Sequence, residues 1–97
     1  MELPQVSADL FGRACRLPIA LWILDRDKPR FFQSEPPTEL AAQTALRQEL
    51  ARLVRAGLLV EERPDGENRV YYVRTDSSLW EIIRTAQRLR DADPEGA

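Results

Sequence analysis

The chain has 97 residues, 43% hydrophobic and 31% charged, a balance that fits one soluble globular domain and leaves no room for a two-domain cofactor enzyme. A chain this short buries only about 60–65% of the surface its unfolded form exposes. It has no histidine and one cysteine, Cys15, which excludes Cys/His zinc sites, serine–histidine triads, Cys–His nucleophiles and an intrachain disulfide. The net charge of −2 is not the basic balance of a small nucleic-acid binder. Thirteen of the fourteen basic residues are arginine, the side chain suited to bidentate phosphate and guanine contacts; GC-rich coding gives the same bias without any function. The longest apolar run, 19–24, falls far short of the ~20 residues a membrane span needs. Met1-Glu2-Leu3-Pro4 lacks the basic start and apolar stretch of a signal peptide. These features predict a cytoplasmic chain with no cofactor, no metal and no enzymatic chemistry.

Residues 1–6 read as a loose tail. Ser7 is placed as the N-cap of a helix over 7–17, with apolar residues at Leu10, Phe11, Ala14, Cys15 and Leu17. Pro18 predicts either a kink or a break. A second helical stretch runs from 18 to about 26, apolar nearly all round and therefore central. Asp25 to Pro29 is a polar turn, and Arg30-Phe31-Phe32-Gln33 a brief strand. Ser34 followed by Glu35-Pro36-Pro37 is read as the capped first turn of a short helix reaching about 41. The clearest helix spans 44–56, with Leu46, Leu50, Leu53 and Val54 on one stripe and Gly57 as its stop. Leu58-Leu59-Val60 opens a strand, Asp65-Gly66 marks a hairpin turn, and Val70-Tyr71-Tyr72-Val73 returns. Thr75 to Ser78 caps a last helix over 79–92, and 93–97 is a frayed end.

This order carries more meaning than any single motif. Leu50-Ala51-Arg52-Leu53-Val54-Arg55-Ala56-Gly57-Leu58-Leu59 resembles the recognition-helix exit "L-x-x-L-x-x-x-G-L-[LIV]" of bacterial winged helix-turn-helix regulators, such as the arsenical-repressor and multiple-antibiotic-resistance-regulator classes. Gly66-Glu67-Asn68-Arg69-Val70-Tyr71-Tyr72-Val73 is similar to their "G-x-x-[KR]-x-Y-x-[LV]" wing return, and Gln43-Thr44-Ala45 to their tight inter-helix turn. The resemblance covers about 17–75. It departs from the pattern at Pro36 and Pro37, and at Ala41 and Ala42 where the turn usually has glycine. It implies a mainly α fold with a small β-wing (α+β), a single domain over 1–97 with helix-turn-helix at about 34–57, wing at about 58–75, and terminal helices at 7–26 and 77–92. It also implies double-stranded DNA as partner, transcriptional regulation, a homodimer and a nucleoid-associated location.

On that reading Gln43, Thr44, Arg47 and Gln48 are base-contact candidates and Arg52 shares their helix face. Arginine pairs with guanine and glutamine with adenine, each through two hydrogen bonds, in a major groove about 12 Å wide. Arg69, with Arg63 and Asn68, is placed at the wing against phosphate or a minor groove. The bland alternative is a solvated face in which Glu49 pairs with Arg52 and Arg55. Residues 30–74 hold seven arginines and seven acids, so local charge is neutral and placement decides. Leu10, Phe11, Leu79, Trp80, Ile82, Ile83 and Leu89 offer more apolar surface than one small core covers, and Leu10, Phe11, Leu79, Trp80 and Ile83 are the leading candidates for a dimer contact. Cys15 and Trp22 read as core, and one of Tyr71 and Tyr72 faces inward. Asp25/Asp27 and Glu61/Glu62 read as solvated. A rival function is a winged-helix protein–protein adaptor, which the sequence pI of 5.2 and the paired prolines favour.

Overall fold

The computed structural model describes residues 2–92. The elements run α1 (Leu3–Phe11), α2 (Arg16–Asp25), β1 (Arg30–Phe32), α3 (Gln43–Arg55), β2 (Leu59–Glu62), β3 (Tyr71–Arg74) and α4 (Trp80–Ala92). The strands form one antiparallel sheet in the order β1-β3-β2. The fold class is α+β, as expected. The 93–97 end lies outside the described residues.

The first correction concerns the N-terminal region. α1 begins at Leu3, not Ser7, because Pro4 sits in the first turn, where its missing N–H is harmless. Gly12 closes the helix in the left-handed conformation, φ 85°, and donates to Ala8 O at 3.0 Å. The break therefore falls at 12–15, and Pro18 lies inside the first turn of α2. Cys15 sits in this connector, half-buried, rather than on α1. Ser7 is not a cap. It is buried in mid-helix, where its hydroxyl donates to Arg13 O at 2.5 Å and accepts from the Leu17 N–H at 2.9 Å. One side chain thus ties α1, the connector and α2 together.

α2 is the core helix the sequence predicts: Leu17, Ile19, Ala20, Leu21 and Ile23 are all buried. Arg74 of β3 donates to the Ile23, Leu24 and Arg26 carbonyls at 2.8 to 3.3 Å, satisfying the end of that helix. Phe31 and Tyr72 pair across β1 and β3 and stack at 5.7 Å on the inner face. Trp22 is half-buried and meets Phe31 edge-on at 5.4 Å.

The second correction is the segment 34–41. No helix forms there. A residue before proline is pushed out of the α region; Glu35 and Pro36 are both so placed, and neither proline donates a helical hydrogen bond. Glu35 also spends its groups locally. Its N–H donates to Phe32 O at 3.0 Å, and its carboxylate accepts from the Phe32 N–H at 2.9 Å and pairs with Arg26 at 3.0 Å. What remains is a single turn closed by Leu40 N–H to Pro37 O at 3.1 Å.

α3 ends in a Schellman motif: Gly57 adopts φ 82° and Leu58 N–H donates to Leu53 O at 2.9 Å. The third correction is Trp80. It is wholly buried, with its indole N–H donating to Leu58 O at 3.1 Å, so it is no part of an exposed dimer surface. Its ring anchors α4 to the end of α3. Asp25, read as solvated, is held by Gln87 at 2.7 Å and Arg90 at 3.0 Å from α4. Burial pushes the Asp25 carboxyl up, but these hydrogen bonds outweigh it and hold it below the ordinary range.

Candidate functional site

The amphipathic pattern of α3 fixes which side chains leave the core. Leu46, Glu49 and Leu50 are buried, and Leu53 and Val54 half-buried; Gln43, Thr44, Arg47, Gln48 and Arg52 are exposed. At its start α3 has Ala42 as N-cap and no side-chain cap, so the first-turn N–H groups face outward unpaired by a capping side chain.

The β2–β3 hairpin brings a second set of groups to this end. Gln33 N–H donates to Val70 O at 2.9 Å, extending the β1–β3 pairing by one bond and drawing the start of β3 against the segment before α3. A groove of about 220 Å³ results, lined by Phe32, Gln33, Ser34, Gln43, Arg47, Asn68, Arg69 and Val70. It therefore unites Gln43 and Arg47 with Asn68 and Arg69. No carboxylate lines it. The Arg69 guanidinium lies over the Phe32 ring, 4.6 Å from its centre, which fixes an otherwise mobile side chain at the wall.

The other arginines of this region show why the charge balance misleads. Arg30 pairs with Glu62 at 3.0 Å, Arg63 with Glu61 at 3.4 Å, and Arg74 is spent on α2 carbonyls. Among the described residues, Arg47 and Arg69 have no carboxylate within 4.0 Å. Glu61 and Glu62 of β2 are neutralised by Arg63 and Arg30, and the groove keeps two cations without a carboxylate partner among the described residues. Arg63 is thereby outside the groove. Arg52 lies one turn beyond Gln48, 3.8 Å from Glu49, and does not line the groove either.

Glu49, which the alternative reading of this face sets in solvent beside Arg52 and Arg55, keeps Arg52 at 3.8 Å but is buried. It is 2% exposed. Arg16 grips it with two nitrogens, at 2.7 and 3.1 Å, and Arg13 reaches it at 3.0 Å. Arg16 also donates to Phe11 O. Burial pushes the Glu49 carboxyl up, and the hydrogen bonds from Arg16 and Arg13 more than reverse this, holding it below the usual carboxylate range. The same Arg13 nitrogen donates to Gln48 Oε1 at 2.9 Å. Neither Arg13 nor Arg16 is near Glu49 in sequence, and only the helical register, which puts position 49 one turn from Leu46 and Leu53, hints at burial.

A second surface is apolar. Phe11, Leu17 and Ile82 line two adjoining hollows, one reaching Leu53 and Leu58 and the other Val6 and Leu89. Leu10 is 73% exposed, Ile82 54% and Leu89 59%. Leu79 is also exposed, whereas Phe11 is half-buried and Ile83 packs against the core. Of the expected dimer residues, Leu10, Phe11, Leu79 and Ile83 thus line this trough, Ile83 from its half-buried floor. Ile82 and Leu89, on the exposed side of α4, join them. The trough and the groove share no lining residue.

Among the described residues, no cluster of three His, Cys, Asp or Glu side chains is placed to hold a metal ion, and no helix is long and apolar enough to cross a membrane. Comparison with protein-family models, curated proteins and solved structures gives no significant match.

Proposed function

We propose that this chain is a duplex-DNA-binding regulator of the winged helix-turn-helix kind, working as a homodimer. The observation that carries the reading is the groove in which Arg47 of α3 and Arg69 of the wing meet without a carboxylate among the lining residues. The order α2, β1, α3, β2, β3 and the β1-β3-β2 sheet support it, since they set a helix beside a hairpin as a winged helix does. In this chain the first helix of the helix-turn-helix is reduced to the turn at 38–40. The exposed face of α3 enters the major groove, with Gln43, Thr44, Arg47 and Gln48 toward base edges. Arg69 and Asn68 contact the flanking sugar-phosphate backbone. Arg52 follows the same face toward phosphate, and Arg63 remains with Glu61.

A module of this size buries only about 600–1,000 Å² on DNA, and a net-acidic chain gains little from long-range attraction. Two half-sites are therefore needed. The trough of α1 and α4 is the surface through which a second copy supplies the other. A protein–protein adaptor is the second reading, favoured by the same exposed apolar trough and by the net charge of −2.

Fluorescence anisotropy with a labelled mixed-sequence duplex at two salt concentrations tests the DNA reading. Arg69→Ala weakens binding to all sequences alike and lowers the salt slope by about one unit, as loss of one phosphate contact does. Arg47→Ala loses about 1–3 kcal/mol on a selected site. Wild-type and variant proteins binding equally weakly, with equal slopes, favour the adaptor.

A further inference from the structure

We propose that Gln48 reads guanine rather than adenine, because Arg13 of the α1–α2 connector occupies its carbonyl. This inference rests on the DNA reading above and concerns the specificity of the same helix face. A free glutamine pairs with adenine by using both ends of its amide, the oxygen accepting from N6 and the nitrogen donating to N7. In Gln48 one of the two lone pairs of that oxygen is already engaged, and by a cation. Gln48 Oε1 accepts from Arg13 Nη1 at 2.9 Å. The orientation of the amide follows from chemistry: a guanidinium only donates, so the atom facing it is the oxygen, and the NH₂ group is left for the outside.

Arg13 is itself held in place. Its side chain is anchored on the buried Glu49 carboxylate at 3.0 Å, which Arg16 grips from the other side at 2.7 Å. Its main-chain carbonyl accepts from the buried Ser7 hydroxyl. The connector therefore presents a fixed cation beside Gln48. A fixed cation repels the amino group that adenine and cytosine place in the major groove. It favours the paired acceptors O6 and N7 of guanine, toward which the Gln48 NH₂ and the neighbouring Arg47 donate. Arg13 is a positioning residue here, acting through the amide of Gln48, and a contact outside α3 sets the base preference of a residue on it.

Selection from a random duplex pool, followed by relative-affinity measurements, tests the proposal with the wild type, Arg13→Ala and Gln48→Glu. The wild type selects guanine at one position of the half-site. Arg13→Ala frees the amide and shifts that position toward adenine by about tenfold, with the other positions unchanged. Gln48→Glu, whose carboxylate neutralises the Arg13 cation and presents only acceptors, shifts it toward cytosine. A loss of stability alone moves none of these preferences. Adenine selected by the wild type, or an unchanged guanine preference in a folded Arg13→Ala protein, overturns the proposal. If Arg13→Ala does not fold, Gln48→Glu decides, and guanine retained there overturns it. A wild type that enriches no sequence overturns the DNA reading itself, and this inference with it.

Discussion

Glu49 shows how much a single side chain can hold. A carboxylate buried among apolar neighbours costs several kcal/mol unless charged donors surround it. Here two arginines do so, and they join α3 to the α1–α2 connector. Because Arg13 and Arg16 keep about a third of their side-chain surface exposed, Glu49→Gln leaves cations that water can still reach. The expected loss is therefore about 1–3 kcal/mol at neutral pH. The Glu49 carboxyl titrates lower in the folded chain than in the unfolded one. Its stabilisation is thus complete above the unfolded value, about 4.3, and is lost as pH falls through the folded value. Denaturant melts of the wild type and Glu49→Gln should differ at pH 7 and converge well below pH 4. A gap unchanged down to pH 2 would remove the ion cluster from the account. The sequence shows Glu49 beside Arg52 and Arg55 because those lie within two turns. Arg52 does lie 3.8 Å from it, but the arginines that hydrogen-bond to it are more than thirty residues away, and no periodicity encodes that distance. Ser7 misleads for the same reason, since a hydroxyl that reads as a cap is consumed by a connector carbonyl.

At the scale of elements, legibility follows the strength of the local signal. α2, α3 and the β2–β3 hairpin were readable from an all-apolar run, a single-stripe repeat and two glycines at stops. Gly57 and Gly66 do adopt φ of 82° and 78°, conformations that side chains with a Cβ resist. The segment 34–41 was not readable, because two prolines after a serine satisfy the rules for a helix start and also those for its prevention. Tertiary bonds of Glu35 to Phe32 and Arg26 decide between them. Half of the groove is legible on α3 and the other half on the β2–β3 hairpin, as Gln43, Arg47, Asn68 and Arg69. Their meeting depends on strand register, which sets Phe32 opposite Tyr71 and so carries Arg69 over the Phe32 ring. Trp80 is illegible for a similar reason: the apolar excess on α4 is real, but the Trp80 ring closes the core, and Ile82 and Leu89 are the exposed members.

At the scale of the whole molecule, the groove and the trough divide the work on the proposed reading. The trough lies mainly on α1, α2 and α4, reaches α3 only at Glu49 and Leu53, and shares no lining residue with the groove, so a second copy can sit there without covering the groove. Two-fold pairing makes the same patch meet itself and sets two α3 helices about one DNA turn, ~34 Å, apart. Leu10→Asp with Ile82→Asp should then give a protein of unchanged melting temperature that is monomeric at tens of micromolar by sedimentation equilibrium and binds duplex poorly. A wild type that stays monomeric, free and on DNA, would rule out this pairing. The measurement closest to the central claim is a titration of ¹⁵N-labelled protein with duplex DNA, followed by amide chemical shifts. The account predicts that the largest changes fall on Gln43, Thr44, Arg47 and Gln48 and on Asn68 and Arg69, and that Arg47→Ala with Arg69→Ala abolishes them. Changes confined to Leu10, Ile82 and Leu89, or none at all at millimolar duplex, would contradict it.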